Sequence, residues 1–127
     1  PEESIHALDV SALQAPDIRF WSATRGGTLL GCGALNSLPH GLAEVKSVHV
    51  AFAARGQGLA HALMTHLIDV ARRDGIRALV LETGSSRDFT PARRLYEKLG
   101  FTFCGPIPGY VADPNSVFMR LGLEPAG

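Results

Sequence analysis

Apolar residues follow a helical period in one long segment of the chain and form a short continuous run after it. Leucine and valine recur three or four positions apart at 59, 63, 67 and 70, which is the spacing of one face of an α-helix. Gly75 stands where a helix commonly ends. The run ALVL at 78–81 is apolar throughout, as is typical of a strand buried on both faces. The pattern therefore predicts a helix from Gly58 that leads into a buried strand.

Shorter segments on both sides of this helix have the composition of strands. Gly26 and Gly27 separate two of them and predict a hairpin turn. A second helix, with Thr90 or Asp88 as its cap, is predicted to end before Gly100. This helix is predicted over 91–99, a short helix within 1–16, and strands at 19–24, 29–35, 43–50, 101–104 and 116–121.

The order of these elements predicts a mixed α/β domain. It runs helix, three strands, helix, strand, helix and two strands. The strand, helix and strand over 43–81 predict a parallel crossover, and the other neighbours are predicted to pair antiparallel. In the second strand, Gly31 and Gly33 either weaken the strand or let another backbone approach closely. The length of 127 residues indicates a single domain over 1–127.

Composition argues against several classes of function. Lys and Arg number 12, as do Asp and Glu, and the zero net charge removes the electrostatic case for a nucleic-acid or membrane partner. No apolar run approaches the ~20 residues that span a bilayer, and no secretory leader opens the chain, so we expect a cytoplasmic protein.

The histidines lack metal-binding spacing, so no metal site is predicted. Cys32 and Cys104 both lie in apolar surroundings, which favours buried free thiols over a disulfide.

A short glycine-containing loop joins the strand that ends near Val50 to the long helix. Gly56 and Gly58 let backbone amides approach a ligand closely, and a helix N-terminus attracts anions. Arg55 adds a cation. A bound diphosphate explains this combination, although a glycine pair at such a junction also occurs in a plain flexible turn. The P-loop pattern is absent, and His61 stands where a dinucleotide-binding loop would have its third glycine.

Two motifs together resemble the GNAT superfamily of acetyl-CoA-dependent N-acetyltransferases. Arg55-x-x-Gly58-x-Ala60 is similar to its (Arg/Gln)-x-x-Gly-x-(Gly/Ala) signature, and ARRLYEKLGF at 92–101 is similar to its A-x-x-x-Y-x-x-x-G-F segment. The motifs flank the ALVL strand in the family's order, and the resemblance covers about residues 18 to 121. Further stretches resemble a bacterial subgroup, without indicating its substrate. Since the family usually begins with a strand and one or two helices, we expect the chain to lack the usual first strand and helix.

The resemblance implies a GNAT-like sheet, mixed but mostly antiparallel, with flanking helices and one parallel pair of strands that splay apart. Acetyl-CoA is expected to enter the splay as a cosubstrate. Its pantetheine would lie beside the unpaired backbone of 49–51, and its pyrophosphate on the amides of 56–60. The implied cofactor-binding residues are Val48, His49, Val50, Arg55, Gly56, Gln57, Gly58, Leu59 and Ala60.

The implied reaction is direct attack of a primary amine on the acetyl thioester in a ternary complex. An amine with a pKa of ~10.4 must first lose a proton, so a general base is useful. Glu44 lies 11 residues before Arg55, a spacing similar to that of the glutamate base in some histone-acetylating members, and is the predicted base. The alternative is an exposed strand-end glutamate paired with Lys46. His49 is either the second candidate for the base or a packing residue.

Tyr96 matches the tyrosine with which the family protonates the departing CoA thiolate. The alternative is a core tyrosine with a satisfied hydroxyl. A free backbone amide near Val50 is expected to stabilise the oxyanion. Phe89 stands seven residues before Tyr96, where many members have an Asn that binds the pantetheine or its neighbours, and Thr90 or Ser86 is the expected replacement. Neither cysteine is a predicted nucleophile.

The acceptor side is less well determined by the sequence. Tyr110, Asp113 and Asn115 lie in the last predicted loop, where Asp113 would attract a cationic amine and Tyr110 would cover an apolar part. The alternative is a local turn in which Asp113 and Asn115 bond the backbone. Five arginines either lie on solvated surface or include a partner for the CoA 3′-phosphate: Arg72, Arg73, Arg87, Arg93 and Arg94.

Three hypotheses about function follow from these residues. The first is a transferase for a small-molecule amine, which is favoured; the second is a transferase for a protein amine. The third is a CoA-binding sensor or interaction module without catalysis. The presence of both Glu44 and Tyr96 favours an enzyme. Exposed sheet edges invite pairing and are compatible with a homodimer.

Overall fold

The computed structural model describes residues 18–51, 55, 56 and 58–123. In that part of the chain the strands are Ile18–Arg25 (β1), Thr28–Ser37 (β2), Leu42–Val50 (β3), Ala78–Gly84 (β4), Thr102–Cys104 (β5) and Ser116–Gly122 (β6). The helices are Leu59–Arg73 (α1) and Thr90–Lys98 (α2), with short 3-10 turns at Pro39–Gly41 and Arg87–Phe89. The short helix predicted within 1–16 lies outside the described residues.

These strands form one sheet in the order β1-β2-β3-β4-β6-β5. Neighbouring strands are antiparallel except β3 and β4, which run parallel and are connected through α1. The prediction of a mixed, mostly antiparallel sheet with one parallel pair is therefore confirmed. The predicted crossover over 43–81 is the unit that contains this pair.

Two strands continue further than the apolar pattern predicts. The pattern ends the second strand at 35, but β2 continues to Ser37 because Asn36 still pairs with Ile18 of β1 and Glu44 of β3. β4 likewise extends to Gly84, paired residue by residue with β6. In both strands the backbone pairing continues under polar side chains, which a hydrophobic pattern does not detect.

Helix α2 begins without the predicted side-chain cap. Its N-cap position is Phe89, which makes no capping hydrogen bond, and Thr90 is the first helical residue. Thr90 Oγ1 accepts a 3.0 Å hydrogen bond from Arg93 Nη2. The same guanidinium donates to the carbonyl oxygens of Gly84 at 2.6 Å and Ser86 at 2.9 Å. Arg93 therefore ties the end of β4 to the start of α2, which corrects its grouping with the solvated or phosphate-binding arginines.

The main core lies between α1 and one face of the sheet. Met64, Leu67 and Ala71 are fully buried, at the helical spacing that the sequence shows. They belong to one cluster with Leu79 of β4 and Met119 of β6. Burial of a side chain such as Leu67 contributes about 1.5–3 kcal/mol, so this contact holds the crossover helix against the parallel pair.

Close packing of α1 depends on a glycine in β2. A Cβ at Gly31 would lie 2.7 Å from the His49 carbonyl oxygen and 3.0 Å from Leu63 Cδ1. At Gly33 a Cβ would lie 3.2 Å from Leu67 Cδ1. Both distances at Gly31 are shorter than ordinary contact, so close approach, rather than a weakened strand, explains this glycine.

A smaller apolar cluster covers the opposite face of the sheet. Its buried members are Val80, Ile107 and Phe118. Val80 faces away from α1, because side chains alternate along a strand and its neighbours Leu79 and Leu81 belong to the main core. Tyr110 packs against this cluster, with its ring centroid 5.7 Å from that of Phe118. The loop between β5 and β6 therefore lies over this face.

The described residues hold neither a disulfide nor a group of side chains that could bind a metal ion. Both cysteines are free, and Cys32 is buried, but Cys104 is exposed. The prediction of two buried thiols is therefore wrong for Cys104, since it lies on β5, one of the two edge strands of the described sheet. Neither described helix combines the length and apolar character needed to cross a membrane.

Candidate active site

Strands β3 and β4 separate from each other partway along their length. They pair at Leu42↔Ala78, Ala43↔Leu79 and Glu44↔Val80. Beyond that point β3 continues to Val50 beside β2, and β4 continues to Gly84 beside β6. Each strand thus keeps its outer neighbour while the inner edges part. The predicted splay of the parallel pair is confirmed, and it begins at Glu44.

The open edge of β3 presents backbone groups to the splay. Ala51 donates its amide to the Leu30 carbonyl oxygen of β2 at 2.8 Å, so the expected unpaired stretch over 49–51 does not include the Ala51 amide. Backbone groups of successive strand residues point to opposite sides, which directs the amide and carbonyl of Val50 away from β2. Arg55 Nε lies 3.5 Å from the Val50 carbonyl oxygen, consistent with that direction.

An irregularity in β3 brings Val48 to the helix side of the splay. The register passes from Cys32↔His49 to Ala34↔Lys46, so Gly33 faces two residues of β3. A bulge of this kind shifts the alternation of side chains by one position. Val48 consequently packs against the main core.

A cavity of about 490 Å³ lies at the N-terminus of α1 and is called here the helix cavity. Its other wall comes from α2, through Pro91, Ala92, Leu95 and Tyr96. Seven of the residues predicted to bind the cofactor line it: Val48, Val50, Arg55, Gly56, Gly58, Leu59 and Ala60. His49 is exposed and does not line it, and Gln57 lies outside the described residues.

The start of α1 offers backbone donors to this cavity. Gly58 is the N-cap, with φ of 75°, and makes no side-chain cap. The first backbone bond of the helix runs from Ala62 to the Gly58 carbonyl oxygen at 3.1 Å. The amides at 59–61 therefore have no partner within the helix, and the helix dipole favours an anion at this end. Gly56 also has a positive φ, 80°, which glycine adopts without strain.

A second cavity of about 340 Å³ lies at the opening of the splay and is called here the carboxylate cavity. It is lined by residues of both sheet faces, because the gap between β3 and β4 passes through the sheet. Residues shared with the helix cavity are Val48, Ala92 and Tyr96. The two cavities meet at these three residues, and Tyr96 is the one of them with a titratable group.

Glu44 is the single buried charged residue in the described part of the chain, with 4% of its surface exposed. Its Oε2 accepts a 2.6 Å hydrogen bond from Tyr110 Oη. The alternative of an exposed glutamate paired with Lys46 is therefore wrong: Glu44 lies on the face covered by the loop between β5 and β6. The hydrogen bond to Glu44, with burial and the charges of Glu44 and Glu82, raises the pKa of Tyr110 to about 12.

Tyr96 is half-buried on the side of α2 that faces the splay. Its ring packs against Phe101, with centroids 5.8 Å apart. Burial raises the pKa of the Tyr96 phenol above its ordinary value of 10.0, because the charged phenolate is poorly solvated there. The hydroxyl is consequently held in its protonated form.

The carboxylate cavity contains polar residues that the sequence analysis missed. Glu82 and Lys46 both line it, and Glu82 Oε2 accepts a 2.7 Å hydrogen bond from Ser116 Oγ. The sequence could have indicated Glu82, because side chains alternate along a strand and Glu82 therefore lies on the same face as Val80. By the same alternation, Lys46 lies on the same face of β3 as Glu44.

Two predicted loop residues do not reach the cavity. Asp113 Oδ1 accepts a 2.7 Å hydrogen bond from the Asn115 amide, and the Asp113 carbonyl accepts one from the Ser116 amide at 3.0 Å. For Asp113 this confirms the alternative of a local turn in which its side chain bonds the backbone, whereas Asn115 takes part through its backbone amide. Of the predicted loop residues, Tyr110 is the one that lines the cavity.

Phe89 forms part of the cavity wall at the position where the resemblance expects Asn. Its ring occupies the place that a side chain at residue 84 would fill: a Cβ at Gly84 would lie 2.1 Å from Phe89 Cδ2. The expected substitutes for the Asn are Thr90 and Ser86; the Thr90 hydroxyl and the Ser86 carbonyl oxygen both accept hydrogen bonds from Arg93. An aromatic wall thus replaces an amide beside the splay.

Comparison with known proteins identifies relatives along most of the chain. Residues 1–101 match the family model described as Acetyltransferase (GNAT) family. The chain is 47% identical to the uncharacterized N-acetyltransferase YsnE of Bacillus subtilis, covering 97% of this chain and 82% of that protein. It is 44% identical to the IAA acetyltransferase of Azospirillum brasilense, with coverage of 97% and 80%. A solved structure from Klebsiella pneumoniae, assigned as an acyl-CoA N-acyltransferase, matches with a TM-score of 0.80 at 31% identity, over 94% of this chain and 87% of that one.

Proposed function

Since the chain belongs to the acetyltransferase (GNAT) family, a family of acyltransferase enzymes, we propose that it transfers the acetyl group of acetyl-CoA to a primary amine of a small molecule. One observation carries the proposal. Two cavities meet at Tyr96 in the splay, one beside a helix N-terminus and the other beside the buried Glu44. An acyl donor and an amine acceptor could reach each other at that junction.

The helix cavity is the proposed site of acetyl-CoA, which the family uses as its acetyl donor. The amides at 59–61 and the Arg55 side chain suit the pyrophosphate, which carries negative charge. Val48 and Val50 suit the pantetheine arm, which has both apolar and amide parts. Gly56 and Gly58 leave the loop without side chains where the phosphates would approach. Gln57 and His49 complete the set by resemblance alone.

Glu44 is the proposed general base. Its carboxylate is buried in the carboxylate cavity, and Tyr110 holds one of its oxygens. Either oxygen can accept a proton from an ammonium group that enters the cavity, directly or through a water. The amine nitrogen then forms a bond to the acetyl carbon, and the carbon–sulfur bond breaks.

Tyr96 is the proposed general acid. The departing thiolate needs a proton, and the Tyr96 phenol retains its proton because burial raises its pKa. The Val50 amide, directed into the splay, is the proposed donor to the carbonyl oxygen as that oxygen gains charge. The net change is one amide and one thiol formed from an ammonium group and a thioester, with one proton released.

A small-molecule acceptor is favoured over a protein amine. The carboxylate cavity has a volume of about 340 Å³, at the lower end of the ~300–1,000 Å³ of small-molecule sites. Tyr110 and the loop over it limit access from one face. A relative is named IAA acetyltransferase, which also favours a small acceptor.

Titration calorimetry with acetyl-CoA, ATP and NAD tests the donor site. We expect 1:1 binding of acetyl-CoA alone, and then release of free thiol when a panel of small amines is added. Binding without thiol release across that panel would favour the sensor hypothesis instead. Equal binding of ATP or NAD would contradict the assignment of the helix cavity.

A further inference from the structure

The carboxylate cavity carries charges of both signs. Glu44 and Glu82 contribute two carboxylates, and Lys46 contributes one ammonium group. Tyr110 already bonds Glu44, and Ser116 already bonds Glu82. A site built only to attract a cationic amine would gain nothing from a lysine, because like charges repel.

Lys46 has no partner of its own within the described part of the chain. It is half-buried, and the ion pair found among the described residues joins Arg19 and Asp74. Lys46 therefore lies more than 4.0 Å from the oxygens of both cavity glutamates. A half-buried ammonium group that lines a cavity without a counter-ion is suited to an anionic group of a ligand.

The spacing of the charges limits what this ligand can be. Glu44 and Lys46 are two residues apart on β3, which separates their Cα atoms by about 6.6 Å on the same face of the strand. A ligand that contacts both needs its own ammonium and carboxylate groups only a few bonds apart. An α-amino acid has that arrangement.

The remaining wall of the cavity is apolar and aromatic. Phe89 is 46% exposed and lines the cavity beside β4, where its ring covers Gly84. Val48 and Leu81 add aliphatic surface. An exposed aromatic ring at the edge of a small cavity is suited to an apolar substituent of the ligand.

We propose that the acceptor is a zwitterionic α-amino acid with an apolar side chain. Its ammonium group lies between Glu44 and Glu82, its carboxylate binds Lys46, and its side chain packs on Phe89. This inference rests on the proposed function, since the reaction is the same acetyl transfer. It adds that Lys46 determines specificity by binding a group that does not react.

The test compares matched pairs of amines that differ only in the carboxylate. Phenylalanine is measured against phenethylamine, and leucine against isopentylamine, with kcat/KM from thiol release. For the wild-type chain we expect the amino acid of each pair to be preferred by about 10- to 100-fold, the worth of a hydrogen-bonded charge contact. In Lys46→Met this preference should fall towards one, and Lys46→Arg should restore part of it.

Lys98→Met is the matched control, because Lys98 is exposed on α2 and the preference should be unchanged. Equal rates for both members of each pair in the wild-type chain would overturn the inference while leaving the acetyl transfer intact. A preference that survives Lys46→Met would also overturn it. If no amine of either kind is acetylated although acetyl-CoA binds, the proposed function fails and the inference fails with it.

Discussion

Tyr110 Oη donates a 2.6 Å hydrogen bond to Glu44 Oε2, although the two residues are 66 positions apart in the chain. The contact joins the loop between β5 and β6 to the point where β3 and β4 begin to separate. It leaves the carboxylate oriented at the opening of the splay. The bond therefore couples the position of the loop between β5 and β6 to that of the proposed base.

Removal of this hydroxyl should weaken both stability and catalysis. In Tyr110→Phe the buried Glu44 carboxylate loses a donor, and we expect a destabilisation of about 1–3 kcal/mol together with a lower kcat. The pKa of Tyr110 is raised to about 12 from 10.0, so the bond contributes fully below pH 10. The contribution is lost as the pH rises from 10 to 12. Chemical denaturation of both proteins at pH 8 and over that range measures the difference; a constant difference would contradict the role of the bond.

Glu44→Gln should lower activity in a pH-dependent manner. Glutamine keeps the shape and can still accept from Tyr110, but it cannot take a proton. We expect kcat/KM to fall by about 100-fold or more near neutral pH. For a lysine-like amine the deficit should narrow as the pH approaches the amine's pKa of ~10.4, because the amine then loses its proton to solvent without a base on the protein. Glu97→Gln is the control, because Glu97 is exposed on α2, and it should retain the wild-type pH profile; the same deficit at every pH in Glu44→Gln would argue against a base.

Tyr96→Phe should separate chemistry from binding. Phenylalanine keeps the ring contact with Phe101 and removes only the proton donor. We expect kcat to fall by about 100- to 10,000-fold, while the Kd for acetyl-CoA stays within about twofold. In the wild-type chain, ionisation of Tyr96 should not reduce activity below pH about 10, since burial raises its pKa above that value. Unchanged turnover in the variant would remove Tyr96 from the mechanism.

Gly58→Glu should abolish acetyl-CoA binding through charge. A Cβ at Gly58 would meet no heavy atom within 4 Å, so a side chain has room to start, but a carboxylate would stand where the pyrophosphate is proposed to bind. Gly58→Gln is the matched control, because both variants share the strain of a positive φ of 75°, about 1–2 kcal/mol. Calorimetry should show a much larger loss of affinity for the glutamate variant; equal losses would attribute the effect to the backbone alone.

Gly31→Ala should destabilise the fold. The new methyl group would meet the His49 carbonyl oxygen at 2.7 Å, and the backbone cannot move away without disturbing β3. We expect a cost of about 1–3 kcal/mol in the free energy of unfolding. Gly105→Ala is the control, since a Cβ there meets nothing within 4 Å. A similar stability for both variants would contradict the close approach.

The sequence predicted elements well where one local rule decides them. The period at 59–70 defined α1, and the ALVL run defined the centre of β4. The prediction failed where pairing with a distant segment decides the length of an element. Asn36 is an example, because it stays in β2 through its pairing with both neighbouring strands. The exposure of Cys104 likewise depends on β5 being an edge strand of the described sheet.

The sequence by itself indicated the mixed sheet through its apolar pattern. Two short motifs indicated the family and, through it, the candidates Glu44 and Tyr96. Both kinds of signal are encoded over a few neighbouring residues. Tertiary structure alone decided that Glu44 is buried and bonded to Tyr110 rather than exposed beside Lys46. It also decided that Glu82, Lys46 and Phe89 share one cavity. These relationships arise because β3 and β4 separate after Glu44, and the register between strands depends on contacts that no short stretch of sequence contains.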